Sequence, residues 1–260
     1  MPAASVFSGH ERGTRMTLFL TSSPTGCPFE PGPQPAALDP RNHFIDKLRS
    51  VWPQEPPEGL LLAADPEAHA ANDEACSFFA GCFARAGLPL DSLIPCDSRN
   101  KDEIGQLIHR CNFLILGGGH VPTQNRFFSA IGLPALIQNY EGIGIGISAG
   151  SMNAARIVYA QPEEPGEATD PHYCRWMPGL GLSYVSIWPH YQHSKNQSVD
   201  GQSLMDIALE DSRRRPFMAL PDGSYILCSD GHETLYGEGW YFSNGRVSLV
   251  NEEGEELPLW

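Results

Sequence analysis

Short apolar segments alternate with helix-like stretches through the first part of this sequence, and that alternation restricts the fold more than any other feature. Residues 18–21, 59–63, 113–116 and 142–147 are such segments. Strands that are apolar on both faces are typical of a parallel sheet with helices packed on both sides. The pattern therefore predicts an α/β fold built on a mostly parallel sheet.

The remaining segments complete this outline. The alanine-rich stretch 67–86 has apolar residues at helical spacing and stops before Gly87. Further helices are predicted at 43–50, 101–109, 127–140, 149–159 and 201–214, and further strands at 92–95 and 182–188. Beyond them, the sequence predicts a C-terminal β meander of short strands at 217–220, 224–229, 233–236, 240–242 and 246–250. Asp222-Gly223 and Asn244-Gly245 are predicted hairpin turns of that meander.

The chain shows no internal repeat and no boundary to a second domain. We therefore expect one domain at 16–260, after a flexible extension at 1–15. Residues 24–40 are rich in proline and glycine and form a long predicted loop, the kind of segment that often carries function.

Charge and cysteine content exclude several classes of function. The chain has 17 basic and 31 acidic residues, a net charge of −14, which disfavours binding to nucleic acid or to an anionic membrane. Its seven cysteines include no C-x-x-C pair, so a zinc ribbon or a thioredoxin-type site has no support. Buried reduced thiols and a first apolar run too short for a secretory signal indicate a cytoplasmic protein.

Ser148 is the strongest local signal for chemistry. It lies in Gly146-Ile147-Ser148-Ala149-Gly150, between a predicted strand and a predicted helix. A sharp strand-to-helix turn raises a nucleophile above the sheet edge, and the flanking glycines relieve crowding there. The backbone N–H of Ala149 then becomes a candidate donor to an oxyanion. The motif predicts a serine nucleophile, against the alternative of an ordinary glycine-rich turn.

A run of three glycines, Gly117-Gly118-Gly119, follows the apolar segment Phe113–Leu116. Its N–H groups are unhindered, which suits a second oxyanion donor from Gly118 or Gly119. A phosphate cradle is the weaker alternative, because neither a P-loop nor a dinucleotide fingerprint is present, and a purely structural turn is the third. His120, next in the chain, is a candidate substrate contact or a polar loop residue.

A serine nucleophile needs a base and an acid that orients the base. His190 follows the predicted strand 182–188 and is the preferred base, with His193 as the nearby rival. The carboxylates between Ser148 and His190 are Glu163, Glu164, Glu167 and Asp170, and spacing alone selects none of them. No His/Asp/Glu cluster shows ligand spacing, so neither a metal nor another cofactor is expected.

Taken in order, these motifs resemble the peptidase E family. The set comprises Gly-Gly-Gly-His at 117–120, Gly-Ile-Ser-Ala-Gly-Ser at 146–151 and Trp-Pro-His-Tyr at 188–191, with Leu-Pro-Asp-Gly-Ser-Tyr at 220–225 as a later match. The resemblance covers roughly residues 58–240. The family consists of the S51 serine peptidases, which include aspartyl dipeptidases and, more distantly, cyanophycinases.

The resemblance implies a flavodoxin-like or class I glutamine amidotransferase-like fold with a Ser-His-Asp/Glu triad. The serine falls on Ser148 and the histidine on His190. The family's acid, fifteen residues after the serine, falls on Glu163, and Glu164 is adjacent. The oxyanion glycines correspond to Gly118 or Gly119.

One departure from the family bears on specificity. In aspartyl dipeptidases an arginine after the histidine binds the side chain of an N-terminal aspartate. The equivalent stretch here, residues 200–205, contains no arginine, and Ser203 or a neighbour takes its place. A neutral residue does not replace a bidentate arginine–carboxylate contact, so Asp-Xaa specificity is not expected unless Lys195 or Arg126 substitutes.

The combined expectation is a serine-type exopeptidase that hydrolyses short peptides, dipeptides among them, as a monomer or homodimer without a nucleic-acid or membrane partner. An esterase of the α/β-hydrolase type is one alternative, although His190 follows Ser148 by fewer residues than that fold usually places between them. A non-catalytic S51-like binding protein is the other alternative.

Overall fold

A computed structural model describes residues 16–25 and 37–259 of the chain. The predicted extension at 1–15 and most of the predicted loop at 24–40 lie outside the described residues. A central eight-stranded sheet organises the rest. In spatial order its strands are β16 (Glu256–Pro258), β13 (His232–Tyr236), β12 (Tyr225–Ser229), β1 (Thr17–Thr21), β5 (Ile143–Ile147), β4 (Phe113–Leu116), β2 (Glu58–Leu62) and β3 (Ser92–Cys96).

The five neighbouring strands β1, β5, β4, β2 and β3 are parallel to one another. Strands β12, β13 and β16 extend the sheet beyond β1 with antiparallel pairs. Every residue of β4 and β5 is buried, as expected for strands covered on both faces. Gly144 in β5 has a specific steric role, because a Cβ there would lie 2.9 Å from both Leu18 Cδ1 and Met16 Sδ. The predicted mostly parallel α/β fold is confirmed.

The chain has eight helices in the described residues. They are α1 (Phe44–Val51), α2 (His69–Arg85), α3 (Ile104–Arg110), α4 (Val121–Ala130), α5 (Leu133–Leu136), α6 (Ala149–Ala154), α7 (Tyr191–Ser194) and α8 (Leu204–Asp211), with 3-10 turns at 41–43, 101–103 and 137–139. Helices α1 to α6 pack around the central sheet, while α7 and α8 share an apolar core with Trp188, Phe217 and Phe242. One apolar core contains buried residues of α1 and α2, and another contains those of α3, α4 and α5. No helix in the described ranges has the length and apolar character that a membrane crossing requires.

A second, four-stranded sheet lies in the C-terminal half. Its order is β15 (Arg246–Asn251), β14 (Gly239–Ser243), β11 (Phe217–Ala219) and β8 (Ile187–Trp188). Stacked aromatic side chains hold it together, including Phe217 on Phe242 with ring centroids 4.9 Å apart. Two smaller pairs are β6 (Ile157–Tyr159) with β7 (Trp176–Pro178), and β9 (Ser198–Val199) with β10 (Gln202–Ser203).

The C-terminal strands differ in arrangement from the predicted meander, because they are divided between two sheets. β12 and β13 join the central sheet, while β11, β14 and β15 belong to the second. Asn244-Gly245 is the predicted hairpin turn between β14 and β15, and both residues have positive φ, as a type I′ turn requires. Asp222-Gly223 instead connects two sheets, so its prediction as a hairpin turn is wrong.

Several predicted elements differ in extent from those in the structure. The helix predicted at 149–159 ends at Ala154, and residues 157–159 form β6, because the β-branched pair Ile157-Val158 lies against β7. The strand predicted at 182–188 is reduced to β8. The helix predicted at 127–140 begins earlier, at Val121, and breaks at Gly132, whose φ is 67°.

Candidate active site

Ser148 occupies the sharp turn between β5 and α6. Its backbone has φ 50° and ψ −112°, a conformation that side-chain-bearing residues rarely adopt. The turn is held from the neighbouring strand, because Ser148 N–H donates to the carbonyl of Thr21 over 3.0 Å. The hydroxyl of Ser151 donates to the same carbonyl over 2.7 Å. The strained serine is therefore fixed by β1 and by its own helix.

The glycines on either side of Ser148 are required by close packing. A Cβ on Gly150 would lie 2.0 Å from the carbonyl oxygen of Leu116, a backbone atom that cannot move aside. A Cβ on Gly146 would lie 2.8 Å from Oγ and 2.9 Å from Cα of Ser151. Each glycine thus lets α6 approach the ends of β4 and β5, which is the packing that a nucleophile elbow needs.

The glycine loop after β4 lies against this turn. A Cβ on Gly118 would be 3.6 Å from Ser148 Cβ, and one on Gly119, whose φ is 152°, would meet Ala64 Cβ at 2.6 Å. Within the described part of the chain, the N–H groups of Gly118, Gly119 and Ala149 make no hydrogen bond. Ala149 is fully buried. Unpaired amides beside a serine hydroxyl are the donors that an oxyanion requires.

His190 and Asp222 form the second half of the site. His190 follows β8 and has φ 53°, and its backbone N–H donates to Ser22 Oγ over 3.1 Å. Its Nδ1 lies 2.7 Å from Oδ1 of Asp222. Gln192 donates from Nε2 to Oδ2 of Asp222 over 2.7 Å and accepts the Asp222 backbone N–H at 3.0 Å. The carboxylate is therefore held on both oxygens.

Burial disfavours ionisation of Asp222, but hydrogen bonds and charge from His190, with a further bond from Gln192, outweigh it and lower the pKa of Asp222. An ionised carboxylate only accepts hydrogen bonds, so Nδ1 of His190 carries the proton between them. This leaves Nε2 as the nitrogen that can act as a base. The arrangement orients an imidazole and stabilises its protonated form.

Ser148 and His190 line the same cavity, which has a volume of about 380 Å³. The ends of four parallel strands supply its floor, through Ser22 after β1, Ala64 and Asp65 after β2, the glycine loop after β4 and Ser148 after β5. Ligands of open α/β sheets bind at this edge. No hydrogen bond between described residues joins Ser148 Oγ to His190, and catalytic hydrogen bonds of this kind often tighten only when substrate binds.

The structure does not bring Glu163 or Glu164 to His190, and the carboxylate that contacts its Nδ1 is that of Asp222. Glu163 Oε1 accepts from Gln161 Nε2 over 2.8 Å. Loss of water around the carboxyl group, and then the charges of Glu167 and Glu164, raise the pKa of Glu163 to about 8, although the residue as a whole is exposed. Neither glutamate therefore makes the contact with the imidazole that a triad acid requires.

The acidic loop folds instead around Glu167. Its Oε1 lies 2.8 Å from Nε2 of His120, and its Oε2 accepts the backbone N–H groups of Glu163 and Glu164 over 2.8 and 3.0 Å. Nδ1 of His120 lies 2.8 Å from Thr123 Oγ1. His120 also lines the cavity, but both of its ring nitrogens are already engaged within the protein.

The same loop overturns the expectation that no cluster would have metal-ligand spacing. Donor atoms of His120, Glu164 and Glu167 lie within 4.8 Å of one another. The carboxylate of Glu167 is nevertheless satisfied by the imidazole and the two backbone amides. The cluster is thus explained as a clamp between the glycine loop and the acidic loop.

The remaining predicted candidates lie outside the cavity as the described residues define it. His193 is exposed on α7, and Lys195 Nζ lies 5.2 Å from the ring centre of Tyr191. Arg126 donates to Thr123 Oγ1 over 3.1 Å. None of the three is among the described residues that line the cavity.

Asp222 lies within the Leu-Pro-Asp-Gly-Ser-Tyr match at 220–225, but its position in the sequence does not mark it as the partner of His190. β8 and β11 are parallel neighbours, with Trp188 paired to Ala219, so the residues after each strand emerge at the same edge. His190 lies two residues beyond β8 and Asp222 three residues beyond β11. Finding Asp222 required knowing that these two short strands are adjacent.

Comparison with known proteins supports this reading of the fold. The family model for Peptidase family S51 matches residues 65–236, a span that contains Ser148, His190 and Asp222. The fold is similar to that of a peptidase from an acI-B1 Actinobacterium, with a TM-score of 0.63 and 16% identity over 95% of this chain and 98% of that chain.

A protein assigned to peptidase E from Listeria monocytogenes EGD-e is also 16% identical, over 91% of this chain and 98% of that chain, with a TM-score of 0.49. No curated relative matches the sequence.

Proposed function

Because the chain belongs to peptidase family S51, we propose that it is a serine-type peptidase that hydrolyses short peptides, dipeptides among them, with Ser148, His190 and Asp222 as its triad. Membership of this family confirms the resemblance seen in the sequence. The observation that carries the proposal is the meeting, on one cavity, of a serine in a strained elbow with a histidine paired to a buried carboxylate.

In the proposed mechanism, Ser148 Oγ attacks the carbonyl carbon of the scissile peptide bond while Nε2 of His190 accepts the hydroxyl proton. The carbonyl oxygen becomes an oxyanion that accepts hydrogen bonds from the backbone amides of Ala149 and of Gly118 or Gly119. His190 then donates the proton to the leaving nitrogen, which departs as an amine. Asp222 holds the imidazole and stabilises its positive charge throughout.

Water completes the cycle. It attacks the acyl-serine carbonyl carbon while His190 accepts one of its protons, and the same amides hold the second oxyanion. Collapse of that intermediate breaks the bond to Ser148 Oγ, which recovers the proton from His190. The products are a carboxylic acid and an amine, and the side chains return to their starting state.

The preference for short peptides is supported by the size of the cavity. Its volume of about 380 Å³ is near the lower end of the range for small-molecule sites, which run from about 300 to 1,000 Å³. A cytoplasmic location is part of the same proposal. Its support is that four described cysteines, Cys76, Cys96, Cys111 and Cys228, are buried free thiols.

The direct test is hydrolysis of a dipeptide library by the wild type and by Ser148→Ala, with circular dichroism to show that both are folded. We expect release of free amino acids by the wild type only. Labelling of Ser148 by an active-site phosphonate, located by mass spectrometry, is the second expected result. Turnover of short acyl esters without any peptide would favour the esterase alternative, and a folded protein that neither labels nor turns over substrate would favour a binding protein.

A further inference from the structure

One wall of the catalytic cavity is apolar and comes from a single helix. Ala71, Ala75, Phe78 and Phe79 of α2 line it, together with Ala68 at the N-cap of that helix. Leu61 and Ile147, at the ends of β2 and β5, continue this surface toward Ser148. An apolar wall next to a nucleophile favours a substrate side chain that is itself apolar, because contact between them removes both surfaces from water.

The cavity lining carries a negative charge, from Asp65, and no lysine or arginine among the described residues. The ionisable side chains of these lining residues are Asp65, His120 and His190. His190 is engaged by Asp222, and His120 by Glu167 and Thr123. A substrate carboxylate would therefore lose water without gaining a cationic partner, and it would face the carboxylate of Asp65.

Asp65 is held rigidly at the cavity edge. Its Oδ1 accepts the backbone N–H of Glu67 over 2.9 Å, and its backbone carbonyl accepts Nδ2 of Asn72 over 3.0 Å. Asn72 is buried and also donates to Oδ2 of Asp97 over 3.1 Å. The loop after β2 is thus tied to the first turn of α2, which supplies the apolar wall.

The nearby positive charge of Arg99 is engaged elsewhere. Its guanidinium pairs with Asp97 and with Asp73, each at a shortest distance of 2.7 Å. Within the described residues, no ion pair includes Asp65. Asp65 therefore keeps an anionic group in the cavity for which the protein supplies no cation.

We propose that Asp65 binds the free N-terminal ammonium of the peptide and that the α2 wall binds an apolar N-terminal side chain, so that the enzyme removes apolar rather than acidic residues. This inference rests on the proposed peptidase function and specifies its substrate class. It explains why the cavity combines one carboxylate with an apolar wall.

The first experiment separates this inference from the proposed function by measuring binding without turnover. Isothermal titration of Ser148→Ala with Leu-Ala, Phe-Ala, Asp-Ala and N-acetyl-Leu-Ala gives the affinities directly. We expect Leu-Ala and Phe-Ala to bind at least about tenfold more tightly than either Asp-Ala or the acetylated peptide. Equal or tighter binding of Asp-Ala, or no loss on acetylation, would overturn the inference.

Turnover by the wild type tests the proposed function independently. If Leu-Ala binds preferentially to Ser148→Ala but the wild type cleaves no peptide, the peptidase mechanism fails and the ligand class stands. If the wild type cleaves peptides but prefers Asp-Ala, the mechanism stands and the ligand class is wrong.

Two exposed alanines of α2 provide a matched pair of variants. Ala71 lines the cavity, whereas Ala70, its neighbour, does not. Ala71→Arg should raise the ratio of kcat/KM for Asp-Ala to that for Leu-Ala by about tenfold, because it adds the missing cation. Ala70→Arg adds the same charge to the same helix and should leave the ratio unchanged. An equal change in both variants would indicate a general charge effect and refute the subsite.

Asp65→Asn tests the ammonium contact. We expect its KM for Leu-Ala to rise by about tenfold while its activity on N-acetyl-Leu-Ala changes little, since the blocked peptide has no ammonium to lose. Glu74→Gln, an exposed carboxylate of α2 outside the cavity lining, is the control and should match the wild type on both peptides. A parallel loss on both peptides in Asp65→Asn would assign Asp65 a structural role instead.

Discussion

His190 and Asp222 meet through a 2.7 Å contact between Nδ1 and Oδ1, although 32 residues separate them in the chain. The contact exists because the short strands that precede them, β8 and β11, are parallel neighbours in the second sheet. Ser148 belongs to the other sheet and reaches the same cavity from the end of β5. The candidate site therefore forms where the two sheets meet.

Removal of the Asp222 charge tests which acid supports the base. Asp222→Asn should lower kcat by about 10² to 10⁴-fold, because the amide cannot stabilise the protonated imidazole. Glu163→Gln and Glu164→Gln should stay within about twofold of the wild type, since neither carboxylate contacts His190. The measurement is steady-state hydrolysis of the best peptide found in the library. A larger loss in Glu163→Gln than in Asp222→Asn would restore the acid predicted from the family resemblance.

The lowered pKa of Asp222 has a consequence for stability. The pKa of this carboxyl group is lower in the folded protein than in the unfolded chain, where it is about 3.9. Its ionised form therefore stabilises the fold at pH values above about 3.9. This stabilisation is lost as the pH falls through the pKa of the folded protein. We expect the difference in unfolding free energy between the wild type and Asp222→Asn to be larger at pH 7 than at pH 2.5. Urea denaturation at both pH values measures it. A difference that grows on acidification would contradict the direction of the shift.

The close packing of Gly150 predicts a large effect on stability. A Cβ at that position would lie 2.0 Å from a backbone oxygen, so Gly150→Ala should lower the free energy of unfolding by about 3 kcal/mol or more. Gly105, within α3, is the matched control, because no atom lies within 4 Å of its added Cβ. Gly105→Ala should be neutral or stabilising by up to about 1 kcal/mol. Similar urea midpoints for the two variants would refute the packing argument.

The clamp centred on Glu167 predicts a local loss of order. Burial opposes the charge on Glu167, but hydrogen bonds from the backbone of Glu163 and Glu164 and from His120 lower its pKa, so the ionised form is the bonded one. Glu167→Gln keeps the shape and removes the charge. We expect faster amide hydrogen exchange at residues 161–170 and a loss of about 1–2 kcal/mol in stability. Glu164→Gln, at an exposed carboxylate, should change exchange in this loop much less.

Metal removal tests whether the His120, Glu164 and Glu167 cluster acts only as this clamp. Dialysis against a chelator should leave peptide hydrolysis unchanged, and added Zn²⁺ should not raise it, because the carboxylate of Glu167 is already satisfied within the protein. A zinc-dependent gain that disappears in Glu164→Gln would show that the cluster is a metal site.

Local pattern was enough to predict the serine half of the candidate site. A strand, a serine between two glycines and a helix are consecutive in the chain, so their geometry follows from short-range sterics. The glycine loop was found for the same reason, since it directly follows an apolar strand. The predicted parallel sheet is confirmed because strands buried on both faces have a distinct composition.

The acid half required the tertiary structure. The family resemblance predicts Glu163, fifteen residues after Ser148, and a distance along the chain carries no information about which strands pair. The error at residues 157–159, predicted as helix and found in β6, has a similar origin, because pairing with β7 overrides local propensity.

The sequence by itself determined the parallel α/β sheet, the elbow at Ser148, the glycine loop and the family. Each depends on neighbours in the chain, whose steric and hydrophobic preferences act over a few residues. Only the tertiary structure decided that Asp222 rather than Glu163 accompanies His190, that the acidic loop closes on His120, and that an apolar wall with Asp65 faces the nucleophile. Those contacts join segments distant in sequence, and the packing of the two sheets determines which of them meet.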